Sequence, residues 1–382
     1  MPTFLEFFAG GGMARAGLGR KWKCLLANDF DQKKGQSYAQ NWGVSNLIID
    51  DIRNIPGDDI PDKADLAWAS FPCQDLSLAG AGAGLKGYRS GTFWPFMALM
   101  QELGKQGRDP NVIVLENVLG TLTSHGGQDF TTIIGALNEL GYQCGAMVID
   151  AAHFVPQSRP RLFLIAVRRG VRIAHGTLND GPDTVWHTRA IRNAYDRLPP
   201  VLKASWLWWG LKTPVKRPKD LADIIEERPE SVCWHSRQET TNLLSMMSEI
   251  NLAKVETAQM AKLPMTGTIY KRTRKEHGIK VQRAEVRFDN VAGCLRTPAG
   301  GSSRQLIMMV DGQKIRSRLI SARETARLMG LPERYKLPNR YNEAYHLTGD
   351  GVVVPVVRHL ARFIIEPLLS ETASDRQLSK SR

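Results

Sequence analysis

The sequence predicts an α/β fold: a doubly wound, Rossmann-like sheet domain joined to a smaller, irregular domain. Two observations predict it. Over residues 3 to 170, short β-rich runs alternate with helix-like segments, the rhythm of strand–helix–strand units. From about His187 to Arg304 that rhythm stops, and prolines, tryptophans and basic runs take over.

TFLEFF reads as the first strand and AGGG as a turn. Met13 to Arg20 opens a helix. KCLLAN is a second strand, closed by Asp29, and Gln32 to Asn41 a second helix. NLIID, ADLAWAS and VIVLEN read as strands, with a helix from Thr92 to Gln106 between the last two. Asp129 to Leu140 is helical, and Gly141 ends it as a cap residue. QCGAMVI and RLFLIAV are later strands. In SARETARLMG, Ser321 as N-cap and Glu324 three residues on form a capping box, and Gly330 and Pro332 close the helix. Ala322, Ala326 and Met329 share a face with Leu319, so this helix is expected to pack, with Arg323 and Arg327 opposite. The apolar segment Val352 to Leu369 is expected to complete the first domain, and the polar end SETASDRQLSKSR to be disordered.

The chain has 382 residues and 42% hydrophobic content, which supports a substantial core in one large domain or two. No apolar run approaches about 20 residues, so no membrane span is expected. The start, MPTFLEFFAGGG, lacks the basic region of a signal peptide. Five scattered cysteines (Cys24, Cys73, Cys144, Cys233, Cys294) point to a reducing compartment rather than a disulfide framework. Cys233 and His235 lie close together without a second pair, so no metal site is expected. A net charge of +13 favours a polyanion, either nucleic acid or anionic membrane. No basic amphipathic helix or lipidation motif speaks for the membrane.

Gly10, Gly11 and Gly12 lie between the first strand and the first helix, where backbone N–H groups can meet a polar or anionic cofactor. Gly10 and Gly12 fit the first two positions of a dinucleotide fingerprint, but Arg15 holds the third. Asp29 ends the second strand about 20 residues further on, where an acid can accept from a ribose diol. Asp51 ends the next strand-like run. Together these strand ends point to an adenosine-containing ligand along one sheet edge. The alternative is that Asp29 and Asp51 only cap the segments that follow.

In ASFPCQDLS, Cys73 follows Pro72 at a strand end. A lone cysteine is most often a small buried hydrophobe. Here the glycine-rich run SLAGAGAGLKGYRSG follows, like a loop that closes over a substrate, which favours a nucleophile. VIVLENV delivers Glu116 and Asn117 at the end of an apolar strand, and QSRPRLFLIAV delivers Arg159 and Arg161 ahead of one. Alone, Glu116 reads as a cap and the arginines as solvated surface. With the thiol they form a constellation at the ends of parallel strands.

Taken in order, EFFAGGG, ANDFD, DDI, FPCQDLS, ENV, QSRPRLF, SARETARLMGLP and GDGVVVPV resemble the motifs of the bacterial DNA cytosine-5 methyltransferases. The resemblance covers nearly the whole chain. It implies S-adenosyl-L-methionine as methyl donor and no metal. It also implies covalent catalysis, because cytosine C5 is too weak a nucleophile to take a methyl group directly. Cys73 would add to C6, C5 would take the methyl group, and loss of the C5 proton and of Cys73 would restore the ring. Glu116 would hydrogen-bond the N3 and N4 edge and assist protonation at N3. Arg161 would hold O2, with Arg159 in support, and Asn117 would steady the cysteine loop. The target base would flip out of the duplex to reach Cys73.

The same resemblance assigns the cofactor residues. Phe8, Gly10 and Gly12 would line the methionine and adenosine site. Asp29 would bind the ribose hydroxyls, Phe30 would stack on the adenine, and Asp51 and Ile52 would hold the adenine edge. Pro72 and Phe93 would complete the pocket, with Asp350 and Val352 near the cofactor's charged end. Three positions depart from the family pattern. The first strand ends Glu6-Phe7-Phe8 where an acid, a leucine and a phenylalanine are usual. Met13 stands where a glycine is common, and Asp350 replaces the usual asparagine.

By resemblance, residues 1–190 and 345–382 form the catalytic and cofactor-binding domain, and 191–344 the target-recognition domain. KRTRKEHGIKVQR, Lys271 to Arg283, has six basic residues and one acid. It reads as a phosphate-contacting run or as a solvated loop. The tryptophans of SWLWWG read as small-domain core or as a stacking surface, with core favoured. RTPAGGSSRQ suits close approach to a DNA backbone. The implied partner is double-stranded DNA, together with a cognate restriction endonuclease where the chain belongs to such a pair. The implied setting is a monomer in a bacterial cytoplasm, on the nucleoid, cellular or phage-encoded. Two alternatives stand beside this: an RNA (tRNA) cytosine-5 methyltransferase, and a catalytically inactive DNA-binding relative. The long variable region favours duplex DNA, and the presence of Cys73, Glu116 and Arg161 favours catalysis.

Overall fold

The structure is a computed structural model and describes residues 1–72, 90–276, 278–297 and 303–370. Two compact units divide the chain. The first comprises Met1–Asp150, Pro160–Thr213 and the segment from Val352, and the second Ala151–Arg159 and Pro214–Gly351. Cys73, the glycine-rich run after it and the polar C-terminal end expected to be disordered lie outside the described residues.

The first unit opens with β1 (Thr3–Phe7), α1 (Met13–Leu18), β2 (Lys23–Asp29), α2 (Gln32–Trp42), β3 (Leu47–Ile49) and β4 (Leu66–Ala69). It continues with α3 (Phe93–Lys105), β5 (Val112–Asn117), α4 (Gln128–Glu139), β6 (Tyr142–Asp150) and β7 (Pro160–Arg168). Two further helices follow, α5 (Arg189–Asp196) and α6 (Pro200–Lys203). The seven strands form one sheet in the order β3-β2-β1-β4-β5-β7-β6. The first five pair in parallel. β4 and β5 are buried along their whole length, and β1 from Phe4 onward, as strands covered on both faces must be. This explains why their sequences read as continuous apolar runs rather than alternating ones.

One strand corrects the expectation of parallel strand ends. β7 runs antiparallel to both β5 and β6. The first residues of β7 therefore lie at the same sheet edge as the last residues of β5. The pairs Glu116↔Phe163 and Asn117↔Leu162 fix this register.

The first unit also keeps the chain as far as Thr213, past the expected boundary at 190. The reason is the free edge of β6. Cys144 N–H donates to Ser205 O at 3.3 Å, and Leu207 N–H donates to Cys144 O at 3.0 Å. Gly145 permits this approach, since a Cβ there would sit 1.8 Å from Leu207 O. Trp206 and Trp209 are buried, and Trp209 Nε1 donates to Ile165 O at 3.0 Å. The tryptophan-rich stretch is thus core, but core of the first unit rather than of the smaller one.

The second unit holds α7 (Arg237–Ser245), α8 (Glu249–Gln259), β8 (Met265–Glu276), β9 (Ile279–Arg287), β10 (Leu306–Asp311), β11 (Lys314–Leu319), α9 (Ala322–Leu328) and α10 (Tyr341–Asp350). The region expected to be irregular therefore contains an antiparallel sheet, ordered β11-β10-β8-β9. Its core joins Leu243 and Met247 of α7 and its end, Val255 and Ala258 of α8, and Ile269, Ala284, Val286, Leu306, Met308 and Val310 of the sheet. The capping box at Ser321 and Glu324 forms as the sequence predicts. Glu324 does more than cap: it pairs with Arg318 at 2.6 Å, and both side chains are fully buried. Arg327 pairs instead with Glu333 at 2.8 Å.

The chain rejoins the first unit at Val352 and forms α11 (Val354–Leu360). α11 packs closely on α1, where a Cβ on Gly17 would collide with Val357. Arg358 Nη1 donates to Leu18 O at 3.1 Å, satisfying a carbonyl at the end of α1.

Candidate active site

The glycine turn after β1 is held by a network that its own residues do not reveal. Phe8, Gly10 and Gly12 all take left-handed backbone, with φ of 56°, 54° and 75°. At Phe8 this is uncommon for a side chain with Cβ and marks a constrained site. A Cβ on Gly12 would lie 2.4 Å from Trp42 Nε1, so nothing larger fits, whereas no described residue comes within 4 Å of a Cβ on Gly10. Trp42 Nε1 donates to Gly11 O at 3.0 Å, clamping the turn from α2. Arg15 donates to Tyr38 Oη at 2.8 Å and lies over the Trp42 ring, 5.1 Å from its centroid. The spacing of Tyr38 and Trp42, one helical turn apart on α2, was the available signal for this support.

Asp29 closes the other side of the turn. Its Oδ2 accepts from Gly10 N–H at 2.7 Å and its Oδ1 from Asp31 N–H at 2.9 Å. Burial pushes its carboxyl above the ordinary range, with the nearby Lys34 charge and the two N–H donors opposing. Phe30 follows and is 64% exposed. Asp51 caps the turn Ile52–Asn54 and pairs with Arg53 at 2.6 Å, the geometry of the capping alternative. Arg53 holds its carboxyl below the ordinary range. Ile52 and Phe93 are buried in the core of the first unit, Phe93 against Phe71 at 5.5 Å. Pro72 is half-buried at the limit of the described chain, and Val352 is buried.

Glu6 is the residue whose environment the sequence understated. It lies within the buried strand β1 and is 1% exposed. Its Oε1 accepts from Arg15 N–H at 3.2 Å, and its Oε2 is buried with no hydrogen-bond partner among the described residues. Burial pushes its carboxyl up to about 8, with the Arg15 N–H and charge opposing. The fit to a nucleoside-type cofactor rests on this set: a glycine turn, an oriented strand-end carboxylate, an exposed aromatic and one buried polar atom with no hydrogen-bond partner among the described residues. Among the described residues no group of three His, Cys, Asp or Glu side chains is placed to hold a metal ion. No helix among them is long and apolar enough to cross a membrane.

At the end of β5, Glu116 Oε1 lies 3.4 Å from Arg161 Nε, on the neighbouring antiparallel strand. Both side chains are largely sheltered from water. Asn117 Nδ2 donates to Phe71 O at 3.4 Å, so β5 braces the chain two residues before Cys73. Asn117 Oδ1 accepts from Val118 N–H at 2.8 Å, which fixes the amide's orientation.

Arg159 belongs to the second unit and is buried there. Its guanidinium donates to three carbonyls: Leu295 at 2.9 Å, Gly349 at 2.8 Å and Gly351 at 2.9 Å. The same segment is bound through Gln157, which accepts from Leu295 N–H at 3.0 Å and donates to Leu328 O at 2.9 Å. Arg159 is therefore a clasp for the GDGV motif, while Arg161 pairs with Glu116. Asp350 is exposed at the end of α10 and accepts from Thr297 Oγ1.

Residues 2–366 match the family C-5 cytosine-specific DNA methylase. Curated relatives include Type II methyltransferase M.BsuFI of Bacillus subtilis, 26% identical over 370 residues, covering 96% of this chain and 73% of that protein. Type II methyltransferase M.HhaI of Haemophilus parahaemolyticus is 24% identical, covering 94% of this chain and 92% of that protein. Among solved structures, Dnmt2 methyltransferase of S. pombe superposes with a TM-score of 0.59 at 18% identity, over 96% of this chain and 99% of that one. That likeness establishes a shared fold. With EFFAGGG, ANDFD and ENV seated at strand ends of such a sheet and the family match spanning both units, the chain belongs to the C-5 cytosine-specific DNA methylase family.

Proposed function

We propose that the chain is a DNA (cytosine-5-)-methyltransferase that acts on a flipped cytosine in a specific duplex DNA sequence, through a covalent bond between Cys73 Sγ and C6. The observation that carries this reading is the Glu116–Arg161 pair at the end of β5, beside an Asn117 amide that holds the chain leading to Cys73. S-adenosyl-L-methionine would supply an electrophilic methyl group. Every other step falls to the chain. Cys73 thiolate adds to C6 while Glu116 protonates N3, so the added electron pair reaches C5. Arg161 holds O2. After methyl transfer, water takes the C5 proton, the C5–H electron pair forms C5=C6 as Cys73 leaves as thiolate, and N3 returns its proton to Glu116, restoring the aromatic ring. The glycine turn, Asp29 and Phe30 would hold the cofactor's methionine and adenosine portions, with Asp51, Ile52, Pro72, Phe93 and Val352 around them. Asp350 would lie toward the cofactor's charged end.

Residues 1–190 with 345–382 would carry catalysis, and 191–344 target recognition. The partner is double-stranded DNA, with a cognate endonuclease for a restriction–modification pair. The setting is the cytoplasm, and the protein acts as a monomer. The test compares initial rates of methyl incorporation into mixed-sequence duplex DNA and into tRNA. Faster incorporation into duplex DNA is expected; incorporation into tRNA alone would replace this reading with the RNA one.

A further inference from the structure

The basic run Lys271–Arg283 is not a loop but the distal part of the β8–β9 hairpin. Directly opposed residues in an antiparallel pair share a face. One face therefore carries Ile269/Val286, Lys271/Ala284, Thr273/Gln282 and Lys275/Lys280. The other carries Tyr270/Glu285, Arg272/Arg283, Arg274/Val281 and Glu276/Ile279. Ile269, Ala284 and Val286 belong to the core under α7 and α8. Beyond Ala284 the same face leaves the core, and Thr273, Lys275, Lys280 and Gln282 are exposed. From Lys271 to Glu276 the ribbon extends about 17 Å at roughly 3.4 Å per residue.

The two faces are charged in different ways. On the arginine face, three arginines are each paired with one of two glutamates. Arg274 pairs with Glu285, Arg272 with the same carboxylate at 3.3 Å, and Arg283 with Glu276 through an Nε bond of 2.8 Å. The lysine face holds Lys271, Lys275 and Lys280 and no acid. Lys275 stands directly across from Lys280, an arrangement that destabilises a β-ribbon. Among the described residues neither lysine has a carboxylate partner. No described residue of this face offsets the repulsion, whereas a polyanion lying along the face would.

We propose that this lysine face is a duplex-DNA contact surface, with Lys271, Lys275 and Lys280 on phosphates and Thr273 and Gln282 between them. The arginine–glutamate face acts as a strut that keeps the ribbon straight. A two-stranded ribbon is an element that a major groove admits. The inference rests on the duplex-DNA reading above and adds to it which side of the ribbon binds.

The test measures binding of the full chain to a mixed-sequence duplex oligonucleotide by fluorescence anisotropy across a salt series. K275Q/K280Q should flatten the slope of log affinity against log salt by about 1.8, as expected for two lost phosphate contacts. R283Q/E276Q, which removes a one-to-one ion pair from the opposite face, should leave the slope at the wild-type value. The thermal midpoint of K275Q/K280Q should be unchanged or higher. An unchanged slope in K275Q/K280Q, an equal fall in R283Q/E276Q, or a lowered midpoint in K275Q/K280Q would overturn the proposal. Methylation of duplex DNA by the wild-type protein is measured in parallel. If wild type methylates duplex DNA while K275Q/K280Q keeps its slope, only the ribbon assignment falls. If wild type binds and methylates tRNA but not duplex DNA, both fall.

Discussion

Replacing Glu6 by glutamine tests the buried carboxyl beneath the glycine turn. Glu6 is 1% exposed, has one N–H donor at 3.2 Å, and carries a carboxyl raised from 4.5 to about 8. Burial penalises its charged form, so the folded chain retains a proton that the unfolded chain has released. Below about pH 4.5 the group is neutral in both states and stability is at its full value. Between about 4.5 and 8 stability falls as pH rises, and above about 8 the loss is complete. At about 1.4 kcal/mol per pKa unit, the whole loss is on the order of 5 kcal/mol. Glutamine keeps the acceptor for Arg15 N–H and does not ionise. Urea unfolding of both proteins, without added cofactor and at constant ionic strength from pH 5 to 9, measures the difference. Glu6→Gln should match wild type near pH 5 and become progressively more stable than it up to about pH 8. A stability difference that stays constant across this range would refute the reasoning.

Three further outcomes follow from the same contacts. Gly12→Ala places a Cβ 2.4 Å from Trp42 Nε1 at a φ of 75°; it should lose about 1–3 kcal/mol of stability in a thermal melt and weaken S-adenosyl-L-methionine binding in calorimetry. Arg318→Met leaves Glu324 buried and unpaired and should cost about 3–5 kcal/mol, while the double change Arg318→Met/Glu324→Met should recover much of it, both read by denaturant unfolding. Arg159→Lys cannot serve the carbonyls of Leu295, Gly349 and Gly351 from one planar fork; it should lower the unfolding midpoint, while Arg161→Lys, which loses a contact beside Glu116, should mainly lower kcat.

Much of the first unit was legible because its physics is local. Continuous apolar runs such as VIVLEN announce strands buried on both faces, and glycine at 141 or the pair Ser321 and Glu324 announce helix ends. The direction of β7 was not legible, because RLFLIAV reads the same whether it runs parallel or antiparallel to β5. The sheet of the second unit was hidden for a different reason. Beyond the Lys271/Ala284 pair both faces of the β8–β9 ribbon meet water, so the apolar alternation that marks a strand is missing. The tryptophans of SWLWWG were assignable to a core but not to which one, since that choice was made by the distant free edge of β6. In the site, the residue types at positions 29, 116 and 161 were readable. The buried state of Glu6 and the clamp by Trp42 depend on neighbours brought together only by folding.

The central claim is tested most directly by incubating wild-type protein and Cys73→Ala with methyl-labelled S-adenosyl-L-methionine and mixed-sequence duplex DNA. The DNA is then digested to nucleosides, and the labelled product is identified by mass spectrometry. Label in 5-methyl-2′-deoxycytidine with wild type, and none above background with a folded Cys73→Ala protein, is the expected result. Full activity in Cys73→Ala, or label confined to another nucleoside, would contradict it.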